Sequence, residues 1–341
     1  MSQLTPMTNT ALSVVVIGRN EGSRLTACLE SIRAANNLPE FTELIYVDSD
    51  STDGSPARAA ACGASVIGLN SGKQSAARAR NAGWRASSAP FILFLDGDTV
   101  LHPDFVQRAI KEFDNPRVAV VWGHRRESRV NASLYNRILD LDWIYSPGLT
   151  DFCGGDSLMR RAALEQVEGF DADIIAGEEP DLCRRMRAAG NLILHVDAPM
   201  TLHDLAILHF SQYWRRAVRA GHAYAEIADR YRNTPDRLWS IESRGNCLRG
   251  SFYIFMGLAI CAASIALRSW LPCLAGMLGL LGLAIRTALS SKWKGVSFGT
   301  LLLFGIHSHL QQVPILQGQL LYLWRRWRRH STGLIEYKAG F

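Results

Sequence analysis

The chain has 341 residues, 48% of them hydrophobic and 20% charged, with a formal net charge of +6. Its basic excess lies at the end of the chain, because residues 245–341 contain ten Lys and Arg and one acid, whereas the rest contains 27 basic and 30 acidic residues. This distribution argues against nucleic acid as a partner and favours an anionic membrane surface. The seven cysteines form no Cys-x-x-Cys pair, so neither a disulfide framework nor a zinc site is expected.

Short apolar runs alternate with segments of helical periodicity in the first part of the chain. The predicted strands are 12–17, 43–47, 65–67, 91–95 and 118–122, and the predicted helices are 23–35, 56–62, 73–86 and 103–113. Such alternation indicates an α/β domain with a mostly parallel sheet covered by helices on both faces. Further helices are predicted at 131–145, 178–189 and 210–232, with a strand at 191–196.

The last quarter of the chain is strongly apolar. Two uncharged runs of 17 residues, 251–267 and 269–285, are separated by Arg268. Each is near the lower limit of about 17 residues for a membrane span. Two spans joined by a tight turn are predicted, and the alternative is a pair of buried helices in a soluble domain. A third apolar segment, 296–323, is compatible with a span, a re-entrant hairpin or an interfacial helix.

The basic residues that flank these runs predict their orientation. They lie on the outer sides of both runs: Arg244, Arg249, Arg286, Lys292 and Lys294. By the positive-inside rule, both flanks and the large N-terminal domain face the cytoplasm. The predicted location is therefore the cytoplasmic membrane, with the chain as an integral protein. A cluster of arginines and tryptophans at 324–329 is predicted to be an interfacial anchor on the same side.

Two carboxylates end the most apolar predicted strand. Asp96 and Asp98 follow 91–95 and are separated by Gly97. Residues two apart in an extended segment point the same way, so both can face one ligand. Because ligands of open α/β sheets bind at the carboxyl ends of strands, a divalent metal site for a diphosphate is the first hypothesis. The alternative is an ordinary surface turn.

Two further acidic segments have both a functional and a structural interpretation. The loop 48–54 is rich in acids and hydroxyls that suit hydrogen bonds to a base and ribose, although Asp53 and Ser55 also fit a capping turn. Asp48 is the better ligand candidate because it directly ends a strand. Glu178, Glu179 and Asp181 begin a predicted helix, where acids either stabilise the helix dipole or supply a general base.

Two common nucleotide-binding patterns do not fit. The segment 68–74 has too few residues between its glycines for a Walker loop, and Gln74 stands where Ser or Thr is needed. Gly18 is isolated after the first strand, so the dinucleotide-binding glycine pattern is missing there as well. Nicotinamide and flavin chemistry are therefore disfavoured.

Taken together, these segments resemble the inverting glycosyltransferases of family 2, which have the GT-A fold. The resemblance covers residues 11–235 and includes six motifs in order. These are Val14–Glu21, Val47–Gly54, Gly72-Lys73 with Ala79–Gly83, Leu95–Asp98, Gly154–Asp156 with Arg160-Arg161, and Gly169–Asp171 with Glu178–Leu182. It implies a GT-A catalytic domain over 11–235, including an amphipathic interfacial helix at 210–232. A linker at 236–249 and membrane-associated helices at 250–330 complete the predicted organisation.

The resemblance also implies roles for individual residues. Those expected to bind the nucleotide sugar are Arg19, Glu21, Asp48, Arg80 and Asp96. Those expected to hold Mn²⁺ or Mg²⁺ are Asp98, Asp96 and His203, and those on the acceptor side are Gly154, Gly155 and Asp156. Glu179 occupies the position of the family's catalytic aspartate and is the candidate base that deprotonates an acceptor hydroxyl. Glu178 and Asp181 remain alternatives for that role.

The expected activity is transfer of a sugar from a nucleotide-sugar donor, with a UDP-sugar favoured, to a hydroxyl or phosphate of a lipid-linked or glycan acceptor. Two other classes stay open, a membrane-bound nucleotidyltransferase and a non-catalytic scaffold that binds sugar nucleotides. The fate of a labelled sugar nucleotide distinguishes the three, because sugar moves to the acceptor, nucleotide moves to a sugar phosphate, or nothing turns over.

Overall fold

The computed structural model describes residues 11–69 and 74–328. Gly72 and Lys73 of the third motif, and Arg329 of the predicted anchor, lie outside the described residues. The chain divides into two compact units. The first comprises the chain up to Ser128 together with Trp143–Leu205, and the second comprises Arg129–Asp142 and the chain from Ala206 onward.

The first unit is a nine-stranded sheet flanked by helices. Its strands are β1 (Leu12–Gly18), β2 (Thr42–Asp48), β3 (Ser65–Gly68), β4 (Phe91–Asp96), β5 (Thr99–Leu101), β6 (Val118–Glu127), β7 (Gly148–Leu149), β8 (Ser157–Arg160) and β9 (Leu192–His203). Its helices are α1 (Ser23–Arg33), α2 (Ser55–Ala61), α3 (Ala76–Ala86), α4 (Phe105–Ala109, extended by a 3₁₀ turn at Ile110–Asp114), α6 (Arg161–Gln166) and α7 (Glu178–Ala188). The predicted α/β class is confirmed.

The sheet is mixed, whereas a mostly parallel one was expected. The strand order is β3-β2-β1-β4-β8-β6-β9-β5, with β7 beside β9. The first four strands in this order are mutually parallel, and β8 enters between β4 and β6 antiparallel to both. Strand β8 interrupts the parallel pattern because it runs opposite to the strands on both of its sides. The four residues of β8 are also too few to show a period in the sequence.

The central strands are buried on both faces. Strand β1 is buried along almost its whole length, and Ile92, Leu93, Phe94 and Leu95 of β4 are fully buried. Continuous apolar runs are expected for strands covered on both sides, which explains why the sequence identified them readily. By contrast, β6 and β9 run beyond the predicted 118–122 and 191–196, because their ends are polar. Glu127 and His203 pair in register at those polar ends.

The second unit is helical. Its helices are α5 (Leu134–Leu139), α8 (Phe210–Arg230), α9 (Ser240–Ala266), α10 (Leu271–Ser290), α11 (Phe298–Leu310) and α12 (Gln312–Trp327). The apolar segment 296–323 is thus two helices. Helix α8 packs against α12, with Tyr213, Val218 and Ile227 buried and Trp214 Nε1 donating to Gln317 Oε1 at 2.7 Å. Much of the apolar face that suggested a membrane-surface helix is therefore covered by protein.

Two helices of this unit have the length and composition needed to cross a membrane. They are α9 and α10. Only 6% and 11% of their most apolar stretches are buried, so neither helix resembles the core helix of a soluble domain. Phe255, Leu258 and Met277 are among their exposed apolar side chains. This exposure is what a lipid-facing helix requires.

Close helix crossings in the second unit depend on glycine. A side chain at Gly318 of α12 would collide with the carbonyl oxygen of Val218 on α8. We expect Gly318→Leu to lower the free energy of unfolding by about 1–3 kcal/mol or more. Helices α8 and α12 would have to move apart to accept the leucine, and they would then lose their contact. The matched change Gly257→Leu on α9 meets no atom within 4 Å and should leave stability nearly unchanged. Thermal unfolding in detergent compares the two, and equal midpoints would contradict this account.

Candidate active site

Three strand ends meet at one edge of the sheet. Gly18 at the end of β1 pairs with Asp48 of β2, and the preceding Ile17 pairs with Asp96 of β4. The register therefore brings Asp48, the turn after β1 and Asp96 side by side. The carboxyl edge of parallel strands is the usual ligand site of open α/β sheets.

Asp48 is held in a fixed orientation at the end of β2. Its side chain is almost fully buried, with Oδ1 accepting from the Tyr46 hydroxyl at 2.9 Å and Oδ2 accepting from Ser51 N at 2.8 Å. Asp53 instead stabilises the loop, because its carboxylate accepts hydrogen bonds from Gly22 N and from the amide and hydroxyl of Ser55. Asp53 thus forms a turn with Ser55 and ties the loop to Gly22, but it is not a cap, because α2 begins after Gly54 and has no side-chain cap hydrogen bond. Asp48 is the acid at the sheet edge.

Arg19 and Glu21 lie in the turn between β1 and α1. Arg19 is exposed, and Glu21 pairs with Arg24 at 2.7 Å. The Glu21 side chain also runs beside Gly18 and Gly97, since a Cβ at either glycine would lie 3.0–3.2 Å from Glu21 Cγ. Both residues thus border the ends of the strands.

Asp96, Asp98 and His203 form one group of metal-binding side chains. A ligand atom from each lies within 4.8 Å of the others, and His203 Nε2 is 3.3 Å from Asp98 Oδ1. The strand pairing explains the contact, because β5 follows Asp98 directly and pairs Thr99 with His203 of β9. These are the three residues that the sequence predicted as metal ligands, and among the described residues they are the one such group.

The chemistry of this group fits a divalent cation. Burial, together with the charge of Arg125, lowers the pKa of His203 to about 3, so the imidazole is neutral and can donate a lone pair. Its Nδ1 is buried and has no hydrogen-bond partner among the described residues. Mn²⁺ is bound by both carboxylate and imidazole ligands, whereas Mg²⁺ prefers the two carboxylates.

Arg80 connects the metal group to helix α7. This arginine is 2% exposed, and its guanidinium lies 2.9 Å from Asp96 Oδ1, 3.0 Å from Glu178 Oε1 and 3.1 Å from Glu179 Oε1. Burial works to lower the pKa of Arg80, but the surrounding carboxylates outweigh it and raise that pKa, so the side chain stays charged. Arg80 therefore keeps several like charges together at the sheet edge.

Glu179 differs from the other two acids at the start of α7. Burial and the neighbouring Glu178 raise the pKa of Glu179 to about 7, against the opposing effect of Arg80. Asp181 is instead bound by Arg185, whose Nε and Nη2 donate to Asp181 Oδ2 at 2.9 and 2.7 Å. Arg185 in turn donates to the carbonyls of Val167 and Gly169, so this pair secures the helix. Asp181 thus belongs to a pair that stabilises the helix, whereas Glu179 lies beside Arg80 and has a raised pKa.

The predicted acceptor-side residues lie directly beside Arg80 and the metal-binding Asp96. Gly155 lies so close to Arg80 and Asp96 that a Cβ there would be 2.5 Å from Arg80 Nη2. Asp156 accepts from Asp96 N at 2.9 Å and from the Thr201 hydroxyl at 2.7 Å, which ties β4 to β9. The buried Asp156 therefore positions Asp96, and Gly155 lets Arg80 and Asp96 lie close to the backbone. A Cβ at Gly154 would meet only Arg125 Nη1, at 3.9 Å.

Arg125 is the residue of this site that the sequence did not reveal. Its Nη2 donates to Asp96 Oδ2 at 3.1 Å, its Nε is 3.5 Å from Asp156, and its guanidinium lies over the Trp143 ring at 5.0 Å. Trp143 also contacts His203 edge-on, with ring centroids 5.0 Å apart. The polar end of β6 carries no recognisable sequence motif. Arg125 reaches the site only because β6 pairs with β9.

Comparisons with known proteins agree with this architecture. The family model for glycosyl transferase family 2 matches residues 13–168, and that for glycosyl transferase family group 2 matches residues 91–303. The pre-mycofactocin glycosyltransferase of Mycobacterium tuberculosis is 26% identical over an alignment of 260 residues, and the match covers 72% of this chain and 53% of that protein. The chain thus spans about half the length of this relative. The glycosyltransferase AglE of Haloferax volcanii is 23% identical over 63% of this chain and 73% of its own length.

A solved structure shares the fold. The mannosyltransferase PcManGT from Pyrobaculum calidifontis, in complex with GDP-Man and Mn²⁺, superposes with a TM-score of 0.67. The match covers 94% of this chain and 89% of that one, at 17% sequence identity. The predicted GT-A architecture is therefore confirmed at the level of fold.

Proposed function

Since the chain belongs to glycosyl transferase family group 2, we propose that it transfers a sugar from a nucleotide-sugar donor to an acceptor, with inversion at the anomeric carbon. The observation that carries this proposal is one group of side chains at the sheet edge. In it, the metal-binding Asp96, Asp98 and His203 lie next to Arg80, which also contacts Glu179. Arg80 would thus join the proposed diphosphate site to the proposed base for the acceptor.

The donor is proposed to lie along the ends of β2, β1 and β4. Asp48 would accept from the nucleobase, and Arg19 and Glu21 would border the nucleotide; a UDP-sugar is the favoured donor. Asp98, Asp96 and His203 would hold Mn²⁺ or Mg²⁺, which when bound neutralises charge on the leaving diphosphate. Tyr46 and Ser51 keep Asp48 in place without further reorganisation when the donor binds.

Glu179 is the proposed base. It would take the proton of the acceptor oxygen as that oxygen attacks the anomeric carbon from the side opposite the diphosphate. Arg80 contacts both Glu179 and Asp96, and so fixes the distance between the base and the donor site. The acceptor is proposed to enter beside Gly154, where a Cβ would meet only Arg125 Nη1 at 3.9 Å, next to Gly155, whose backbone lies against Arg80 and Asp96.

A lipid-linked acceptor is the favoured class. Helices α9 and α10 are long, apolar and exposed, and basic residues flank them on their outer sides. We place them in the cytoplasmic membrane with the first unit facing the cytoplasm. An enzyme held at the bilayer searches for a membrane-borne acceptor in two dimensions rather than three.

The test is a donor panel. The purified full chain is incubated with UDP-, GDP- and dTDP-sugars and Mn²⁺ or Mg²⁺, with and without a membrane lipid extract. Release of nucleoside diphosphate from one donor, stimulated by lipid, is the expected result. Transfer of the nucleotide to a sugar phosphate would indicate a nucleotidyltransferase instead. A folded protein that binds donor but turns nothing over would indicate a scaffold.

The pKa of Glu179 predicts the pH dependence of the rate. The base acts in its deprotonated form, so kcat/KM should rise with pH and level off above about 7, where Glu179 is ionised. Initial rates at saturating metal, measured in overlapping buffers from acid to mildly alkaline pH, check this. A rate that is flat across neutrality would mean that a group with an ordinary carboxylate pKa, or no base at all, limits the reaction.

A further inference from the structure

We propose that the loop between helices α8 and α9 binds the phosphate headgroup of an anionic phospholipid. The loop lines an open surface depression of about 690 Å³, formed by Arg232, Asn233, Thr234, Pro235 and Arg237. It lies in the second unit and contributes nothing to the proposed transfer reaction. No motif in the sequence marks it.

Three helix ends are joined around this loop. The Tyr322 hydroxyl and Arg326 Nη1 of α12 donate to the two carboxylate oxygens of Asp229, at 2.8 and 2.6 Å, near the end of α8. Gln319 of α12 donates to the carbonyl oxygen of Ser243 at 2.8 Å, near the start of α9. The end of α8, the start of α9 and the end of α12 therefore lie together.

This end of the unit carries an excess of positive charge. Residues 229–244 and 325–328 contain seven arginines and three acids. Asp229 is shared by Arg232 at 3.1 Å and Arg326 at 2.6 Å, so one carboxylate faces two guanidinium groups. The Arg232 side chain is 56% exposed despite that contact. Asp236, another of these acids, accepts from the Thr234 hydroxyl at 3.0 Å. The loop thus presents cations to an incoming anion.

The position of the loop identifies a lipid headgroup as the anion. Helix α9 leaves the loop at Ser240, and one of its faces exposes apolar side chains from the loop onward, at Ile241, Leu248, Phe252 and Phe255, over roughly 21 Å at 1.5 Å per residue. A headgroup bound at the loop would extend its acyl chains along that apolar surface. Guanidinium groups bind phosphate oxygens in pairs, and basic clusters beside a membrane helix attract anionic lipids. Trp239, packed on Tyr224 with ring centroids 4.8 Å apart, is an aromatic residue of the type enriched at the bilayer surface.

The experiment compares lipids bound to the full chain. The protein is placed in nanodiscs of phosphatidylcholine with and without phosphatidylglycerol, released into detergent, and weighed by native mass spectrometry to count bound lipids. The wild type should retain phosphatidylglycerol in preference to phosphatidylcholine. The double change Arg232→Gln with Arg237→Gln should weaken that binding roughly 10- to 30-fold, as expected for two arginines near an anionic surface. Arg58→Gln, an exposed arginine on α2, is the matched control and should bind like the wild type.

Two further measurements distinguish a lipid site from a folding defect and from a site for free phosphate. Arg232→Lys with Arg237→Lys keeps the charge and should retain most of the preference, which shows that a loss in the glutamine variant is not a folding defect. Inorganic phosphate is added as a competitor, and full displacement of the lipid by it would assign the site to free phosphate and overturn the proposal. An undiminished preference in the glutamine variant, or none in the wild type, would also overturn it.

Discussion

A Glu179→Gln enzyme should bind its donor normally and lose about 10²- to 10⁴-fold in turnover, the usual contribution of a positioned base. Glutamine keeps the shape of the side chain and a contact to Arg80, but its amide cannot take a proton at neutral pH. Arg80 would still pair with Glu178 and Asp96, at 3.0 and 2.9 Å, so the donor site should stay assembled. Donor affinity by calorimetry and product formation under single-turnover conditions measure the two effects separately.

Two matched variants make this result specific. Glu40→Gln removes a carboxylate from an exposed loop and should leave the rate unchanged. Glu178→Gln removes the neighbour that helps to raise the pKa of Glu179, so the pH at which the rate levels off should move down while the maximal rate largely survives. If Glu178→Gln abolishes turnover and Glu179→Gln does not, the base is Glu178.

Asp98→Ala should nearly abolish binding of Mn²⁺. Loss of a residue that merely supports a ligand weakens metal binding about 10- to 100-fold, and loss of a ligand itself should exceed that. The backbone of Asp98 accepts from Asp204 N at 3.0 Å independently of its side chain, so the local fold should persist. Titration with Mn²⁺, followed by electron paramagnetic resonance of the free ion, gives the affinity with and without nucleoside diphosphate.

The control for this metal experiment is Asp114→Ala, which removes an exposed carboxylate at the end of a 3₁₀ turn. It should bind Mn²⁺ like the wild type. If Asp98→Ala binds Mn²⁺ with wild-type affinity, Asp98 is not a ligand, and Asp96 and His203 alone are too few to hold the ion.

Local patterns in the sequence predicted much of the fold and the composition of the site. The apolar runs of β1 and β4 mark strands buried on both faces, and acids two residues apart at a strand end can share one ligand. The two exposed apolar helices also follow from length and composition alone. These features depend on residues close together in the chain, so they are visible without a structure.

Only the tertiary structure decided how the site is assembled. Arg125 lies beside Asp96, and His203 beside Asp98, because the mixed sheet places β6 and β9 at the same edge. Likewise, Glu179 shares Arg80 with Asp96 because Arg80 of α3 reaches both the start of α7 and the end of β4. The Asp181–Arg185 pair, by contrast, is a local contact between residues four apart in α7. The sequence by itself determined which residue types are available at each strand end. Register and packing between distant segments determined which of them meet, because those depend on the whole set of strand neighbours.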